Sequence, residues 1–267
     1  MLKRPSITFL ILAIVMMSTG FVHGRTIPSN ITQSQSDLDR QQQRLQSSEP
    51  EERRDALMRL GSMRTAAASR LALPALSDPV PMVRAVAAHA ILSLAPEQSV
   101  TALIPLLNDK DEFVRRETAY ALGSTQSRSA TQALGNLLLS DKDAGVRGAA
   151  AVALGETRDE AAVVVLSSVL APELITPGKN KVKAEKNAFV LRAAARSLGQ
   201  IRSRAGTQAL AAALGNEKNE FDVRREAAVS LGDIGDPTAV SVLTAAASSE
   251  DPYLAKAASE SLRKISH

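Results

Sequence analysis

The segment Val114-Arg115-Arg116-Glu117-Thr118-Ala119-Tyr120-Ala121-Leu122-Gly123 returns as Val146-Arg147-Gly148-Ala149-Ala150-Ala151-Val152-Ala153-Leu154-Gly155. It returns again between Val223-Arg224 and Leu231-Gly232. A unit of about thirty residues is too small to bury its own apolar face, so a chain built this way must stack its units into an array. Hydrophobic residues make up 45% of the chain but aromatics only 3%, so the shared interior is made of Ala, Leu and Val. Small and straight-chain residues of this kind favour helices and let them approach closely. There is no cysteine, which excludes disulfides, thiolate metal sites and a cysteine nucleophile.

The register follows from the residues that open each apolar stripe: Glu52, Val83, Val114, Val146, Val190, Val223 and Leu254. Four positions on stand Ala56, Ala87, Thr118, Ala150, Ala194, Ala227 and Ala258; eight positions on stand Leu60, Ile91, Leu122, Leu154, Leu198, Leu231 and Leu262. That spacing puts all three on one helix face. One residue further, Gly61, Gly123, Gly155, Gly199 and Gly232 are expected to end the helices in the left-handed conformation. Leu92 and Arg263 stand there in units two and seven, whose ends should differ. Thr101–Leu107, Thr131–Leu139, Ala161–Leu170, Thr207–Leu214 and Thr238–Ala247 supply the first helix of five of the pairs. Asp78, Asp111, Asp143 and Asp251 lie where second helices start and suit N-capping. Seven helix pairs are expected over residues 36–267, the first capped at Ser36 and carrying Leu38 and Leu45.

The N-terminus reads as a signal peptide over residues 1–24. Lys3 and Arg4 precede a short apolar run, Ile7 to Met17, and Val22-His23-Gly24 offers a cleavage site. A membrane anchor needs about twenty apolar residues, so no stable span is expected after cleavage, an uncleaved anchor being the alternative. The protein is therefore expected to be exported, to a periplasm or the exterior. Loss of Lys3 and Arg4 lowers the formal net charge from +4 to +2, too balanced for a nucleic-acid partner. Residues 25–35 are polar and read as a flexible linker; Asn30-Ile31-Thr32 is a glycosylation acceptor only in a eukaryotic secretory path.

Asp111–Gly123, Asp143–Gly155 and Val223–Gly232 with the following Asp233-Ile234-Gly235-Asp236-Pro237 resemble the HEAT-repeat family, in its short form that also occurs in phycobilin lyases. The resemblance implies an all-α, right-handed α-solenoid of about seven helical hairpins, with first helices on the convex side and second helices on the concave side. It also implies that Arg53, Arg84, Arg115, Arg147 and Arg224 bond acidic side chains between neighbouring units. That ladder should break where Leu191 and Ala255 replace the arginine.

Two features carry functional expectations. Steps between openers are 31, 31, 32, 44, 33 and 31 residues, so an insertion of about a dozen falls at 171–188. It brings Lys179, Lys181, Lys183 and Lys186, which would suit an acidic partner; the alternative is a tolerated solvated loop. The second feature is a pair of outward rows on the second helices. Arg54, Arg116, Arg192 and Arg225 stand two positions after their openers; Met58, His89, Tyr120, Val152 and Arg196 stand six after. Such a face could hold an extended or acidic peptide, Arg meeting carboxylates and apolar groups anchoring. A merely solvated face is the alternative. Phe113, Phe189, Phe221 and Tyr253 at second-helix starts are expected to pack between units, an exposed aromatic edge being the alternative.

Catalysis finds little support. A lone His89 outside the ends gives no metal ligand set, and there is no phosphate loop or nucleophile elbow. No cofactor or metal is expected. The leading expectation is an exported, non-catalytic scaffold for a protein or peptide; the other is a chromophore or prosthetic-group lyase like the phycobilin lyases.

Overall fold

The computed structural model describes residues 29–175 and 184–266, so the expected signal peptide and Lys179, Lys181 and Lys183 lie outside the described residues. Every regular element among the described residues is helical. The chain pairs α1 (Ser29–Arg44) with α2 (Pro50–Met63), α3 (Ala66–Ala72) with α4 (Pro81–Ala90), and α5 (Pro96–Leu103) with α6 (Glu112–Ser124). It continues with α7 (Thr131–Ser140) and α8 (Ala144–Thr157), then α9 (Ala162–Leu170) and the short α10 (Pro172–Ile175) before α11 (Ala188–Ile201). The last pairs are α12 (Thr207–Gly215) with α13 (Phe221–Ile234), and α14 (Val240–Ala246) with α15 (Pro252–Ile265). Each second helix packs on the next in the order α2, α4, α6, α8, α11, α13, α15, with the first helices as the other layer. Among the described residues the architecture is an α-solenoid of seven hairpins.

The apolar stripe is the interior. Every opener from Val83 to Leu254 is buried, as is every residue four positions on. Only the ends of the stripe break this, Glu52 being exposed and Leu262 half-buried. Pro74 and Pro105 lack an amide hydrogen, and at both the first helix tightens into a 3-10 turn, Leu73–Ser77 and Ile104–Asn108. Helix α1 begins at Ser29, not at Ser36, so the expected linker shortens. Gln35 and Asp39 join side chains one turn apart at 2.9 Å, the kind of contact that supports a polar helix. Leu38 and Leu45 pack on the core as expected.

The glycines do something other than end helices. The left-handed residues are Arg64, Gln126, Arg158, Arg202 and Gly235, each three positions beyond a glycine. The glycines sit inside the helices, where the next second helix comes closest. A Cβ on Gly123 would lie 2.8 Å from Ala153 Cα, and one on Gly199 would lie 3.0 Å from Ser230 Cα. Gly155 and Gly232 face Ser197 and Ser261 as tightly. Where Leu92 replaces the glycine, α4 stops early at Ala90, as expected for unit two. Unit seven differs in its cap: Ser266 after α15 is right-handed.

An arginine ladder ties the units along one edge. Arg53 bonds Asp78 at 2.7 and 2.9 Å, Arg84 bonds Asp109 at 2.7 and 2.8 Å, and Arg115 bonds Asp141 at 2.6 and 3.1 Å. Arg147 bonds Glu185 at 2.7 and 3.2 Å. Each of these arginines also donates to two carbonyls of its own preceding turn, as Arg115 does to Asp109 and Lys110. Burial alone would raise the Asp109 and Asp141 carboxyls. The guanidinium bonds and an N–H from two residues on outweigh it and hold both below the usual carboxylate range. Asp78 is thus a ladder acid rather than a cap; Asp111, Asp143, Asn187 and Asp251 are the caps. The ladder breaks at Leu191 as the resemblance implies. Arg224 departs from it, donating to the Leu214 carbonyl at 2.9 Å instead of to an acid.

Both ends of the insertion belong to the stack. Ala171 is buried, and after the undescribed stretch Glu185 enters the ladder while Asn187 caps α11 at Phe189 and Val190. Of the four lysines, the structure places Lys186, which is exposed.

Candidate binding face

Ala85 and Gly148, expected in the first outward row, are buried; the arginines of the two rows do face solvent, but they are not free. Arg192 pairs with Asp222 at 3.0 Å, and Arg196 holds both oxygens of Glu226 at 3.1 and 3.2 Å. Arg225 holds both oxygens of Asp251 at 3.0 and 2.8 Å and lies 5.4 Å from the Tyr253 ring. Arg54 bonds Glu51 and Asp55 on its own helix. Arg116 lies over Phe113 at 5.2 Å, near Glu117. The carboxylates that pair Arg192, Arg196 and Arg225 come from the next unit, because second helices lie side by side with little stagger. This overturns the expectation of an open basic row: most of its charge is neutralised within the molecule.

The same side-by-side contact explains the aromatic residues. A Cβ on Gly148 would fall 2.0 Å from the Phe189 ring, so the absence of a side chain there lets the ring lie on the preceding unit. Phe189, Phe221 and Tyr253 are nonetheless 41%, 46% and 69% exposed. Phe189 thus packs on the preceding unit as expected, while all three rings also show a face to solvent and form an aromatic edge.

Apolar groups dominate the N-terminal half of the row six positions after the openers. Met58 is 59% exposed, and Tyr120 and Val152 are half-buried on the core. His89 is exposed between Met58 and Tyr120 in this series of units, its Nε2 3.1 Å from Glu117 of the next unit. Beyond Val152 the row turns to Arg196, the exposed Val229 and Glu260. The face is thus an apolar strip in units one to four and a lattice of ion pairs in units five to seven.

A cavity of about 560 Å³ lies at the C-terminal ends of α6, α8 and α11, lined by Gln126, Glu156, Arg158, Gln200, Arg202 and Asp233. Sequence reasoning missed it, although a polar residue follows each of Gly123, Gly155, Gly199 and Gly232. Glu156 Oε2 is buried with no hydrogen-bond partner, and desolvation raises its carboxyl above the usual range. Among the described residues no three His, Cys, Asp or Glu converge as metal ligands. Among the same residues, no helix is long and apolar enough to cross a membrane.

Seven helical hairpins in register, joined by an arginine ladder, define a short-repeat α-solenoid. The family description "HEAT repeats" matches residues 39–123, 100–173 and 181–263, and the chain belongs to the HEAT-repeat family. A search of curated proteins gives no match. Among solved structures, the Escherichia coli protein YibA is similar at 19% identity and a TM-score of 0.59, over 89% of this chain and 84% of that one. The complex of CpcE and CpcF of phycocyanin lyase from Nostoc sp. PCC7120 is similar at 22% identity and a TM-score of 0.51, over 86% and 93%. An engineered protein also scores 0.51 at 21% identity, over 86% of this chain and 68% of its own. Likeness at these identities concerns the fold alone.

Proposed function

We propose that this chain is an exported, non-catalytic HEAT-repeat scaffold that binds a protein or peptide along the solvent side of its second helices. The observation that carries the reading is the strip Met58, His89, Tyr120 and Val152, one residue per unit, on a rigid stack. A preformed surface of this kind orders few groups on binding, and a residue spacing set by the repeat suits an extended partner. The arginines at 54, 116, 192, 196 and 225 carry their own acids, so they act as a polar rim rather than as an acid-selective groove. Arg192, Arg196 and Arg225 are engaged across units and Arg54 within its own helix, an arrangement that suits a scaffold better than acid–base chemistry. Export rests on the Lys3-Arg4 and Ile7–Met17 pattern; N-terminal sequencing of protein from the native host should give Arg25 as the first residue.

A photo-crosslinking amino acid at position 58 or 120 tests the reading. In the native host it should capture one discrete partner, while the same group at exposed Val164 on α9 should not. Capture at 164 alone, or equal labelling at all three positions, would mean that this face is not the binding surface.

A further inference from the structure

The ladder contains a vacancy in one place. Its arginine stands one position after an opener and its acid five positions before the next opener: Asp78, Asp109, Asp141 and Glu185. Between units five and six both members are lost together, to Leu191 and Lys218. Between units six and seven only the acid is lost: Arg224 remains and Ser249 stands opposite. Arg224 makes no ion pair among the described residues.

Two equivalent cavities make the comparison direct. At Arg147, a cavity of about 470 Å³ is walled by Leu138 and Val169 and holds Glu185. At Arg224, the corresponding cavity of about 580 Å³ is walled by Leu214 and Ala246 and holds Ser249. Glu217 and Glu250 line this second cavity without reaching ion-pair distance of the guanidinium. Arg224 lies 5.8 Å from the Phe221 ring, which is 46% exposed, and Val242 lines the same wall. A guanidinium held by one backbone carbonyl keeps donors for a carboxylate, which it prefers to bind in bidentate fashion.

We propose that the cavity at Arg224 receives a side-chain carboxylate from an acidic peptide of a partner protein, completing the ladder from outside, with an apolar neighbour of that residue on Phe221 and Val242. A side-chain carboxylate is the ligand because all four complete rungs use one. This site belongs to the ladder edge, not to the row of Met58 and Tyr120, so it stands or falls separately from the reading above.

The test titrates the full mature chain with blocked peptides (acetylated and amidated), following the Arg224 Nε–H signal by NMR. Acetyl-Leu-Glu-Leu-amide should shift it in a saturable way, and the Gln peptide should bind about tenfold more weakly or worse. Ser249→Asp supplies the missing acid internally; it should raise the melting temperature and abolish peptide binding. Arg224→Gln, followed through the backbone N–H signals of Phe221 and Ser249, which line the same cavity, should also abolish binding, and the Ser249→Asp protein guards against a folding defect in that variant. Equal binding of the Glu and Gln peptides, or undiminished binding to Ser249→Asp, would overturn the proposal. So would tighter binding of Leu-Gln-Leu with a free C-terminal carboxylate.

Discussion

At the scale of single residues, the glycines show that one recurring letter can serve packing rather than conformation. Gly199 has no positive φ, and its value lies in what a methyl group would meet: Ser230 Oγ at 2.6 Å, Cβ at 2.8 Å and Cα at 3.0 Å. Gly61, at the same repeat position, meets Ala90 alone, its Cα at 3.4 Å and its Cβ at 3.8 Å, both ordinary van der Waals contacts. The two should therefore respond oppositely to the same substitution. Alanine improves an exposed helix interior by up to about 1 kcal/mol over glycine, whereas overpacking a close contact costs about 1–3 kcal/mol. Gly199→Ala should destabilise by roughly 1–2 kcal/mol, and Gly61→Ala should be neutral to stabilising by up to about 1 kcal/mol. Urea unfolding of the pair decides it, and a stabilised Gly199→Ala protein would mean that α11 and α13 can admit a methyl group at their closest approach.

At the scale of elements, the decisive contrast lies between two sets of ion pairs that look alike in sequence. Arg115 is 6% exposed and bonded to Asp141 and two carbonyls, whereas the Arg196 side chain is 62% exposed. Breaking a buried pair leaves a charge without its partner and costs about 3–5 kcal/mol; an exposed pair contributes about 1 kcal/mol or less. Arg115→Met should therefore lose several times more stability than Arg196→Met. The pH dependence carries the same signature. Asp141 is held below its unfolded value of about 3.9, so its contribution is complete above that pH and fades as pH falls through the lower folded value. The deficit of Arg115→Met should be full at pH 6 and shrink below about pH 4; a deficit constant down to pH 2 would assign the arginine's effect to its carbonyl bonds alone. The sequence made the helix pairs, the buried stripe and most of the ladder legible, because a period of 3.6 inside a period of about thirty leaves few alternatives. It did not reveal which residue of one unit meets which of the next. For that reason Asp78 passed for a cap, and the charges of Arg192, Arg196 and Arg225 passed for open. Each depends on a neighbour 25 to 30 positions away whose lateral offset periodicity does not encode.

At the scale of the whole molecule, stability in a stack is carried by nearest-neighbour interfaces, so continuity of packing matters more than continuity of chain. The insertion tests this. Between α9 and α11 the sequence departs from its period, yet α8 and α11 lie directly against each other there. Gly155 receives Ser197, the Ser197 hydroxyl donates to the Ala151 carbonyl at 2.7 Å within the core, and Arg147 reaches Glu185 on the far side. None of these contacts uses residues 176–183. Cleaving the chain at a protease site engineered between Lys179 and Lys181 should therefore leave the two fragments together, eluting at the mass of the intact protein. Adding Ser197→Leu, which has no room beside Gly155, should make the nicked fragments separate while the uncut variant stays joined by its chain. Separation of the unmodified nicked fragments would place the main cohesion of the solenoid in its covalent thread, against everything that the α8–α11 interface implies.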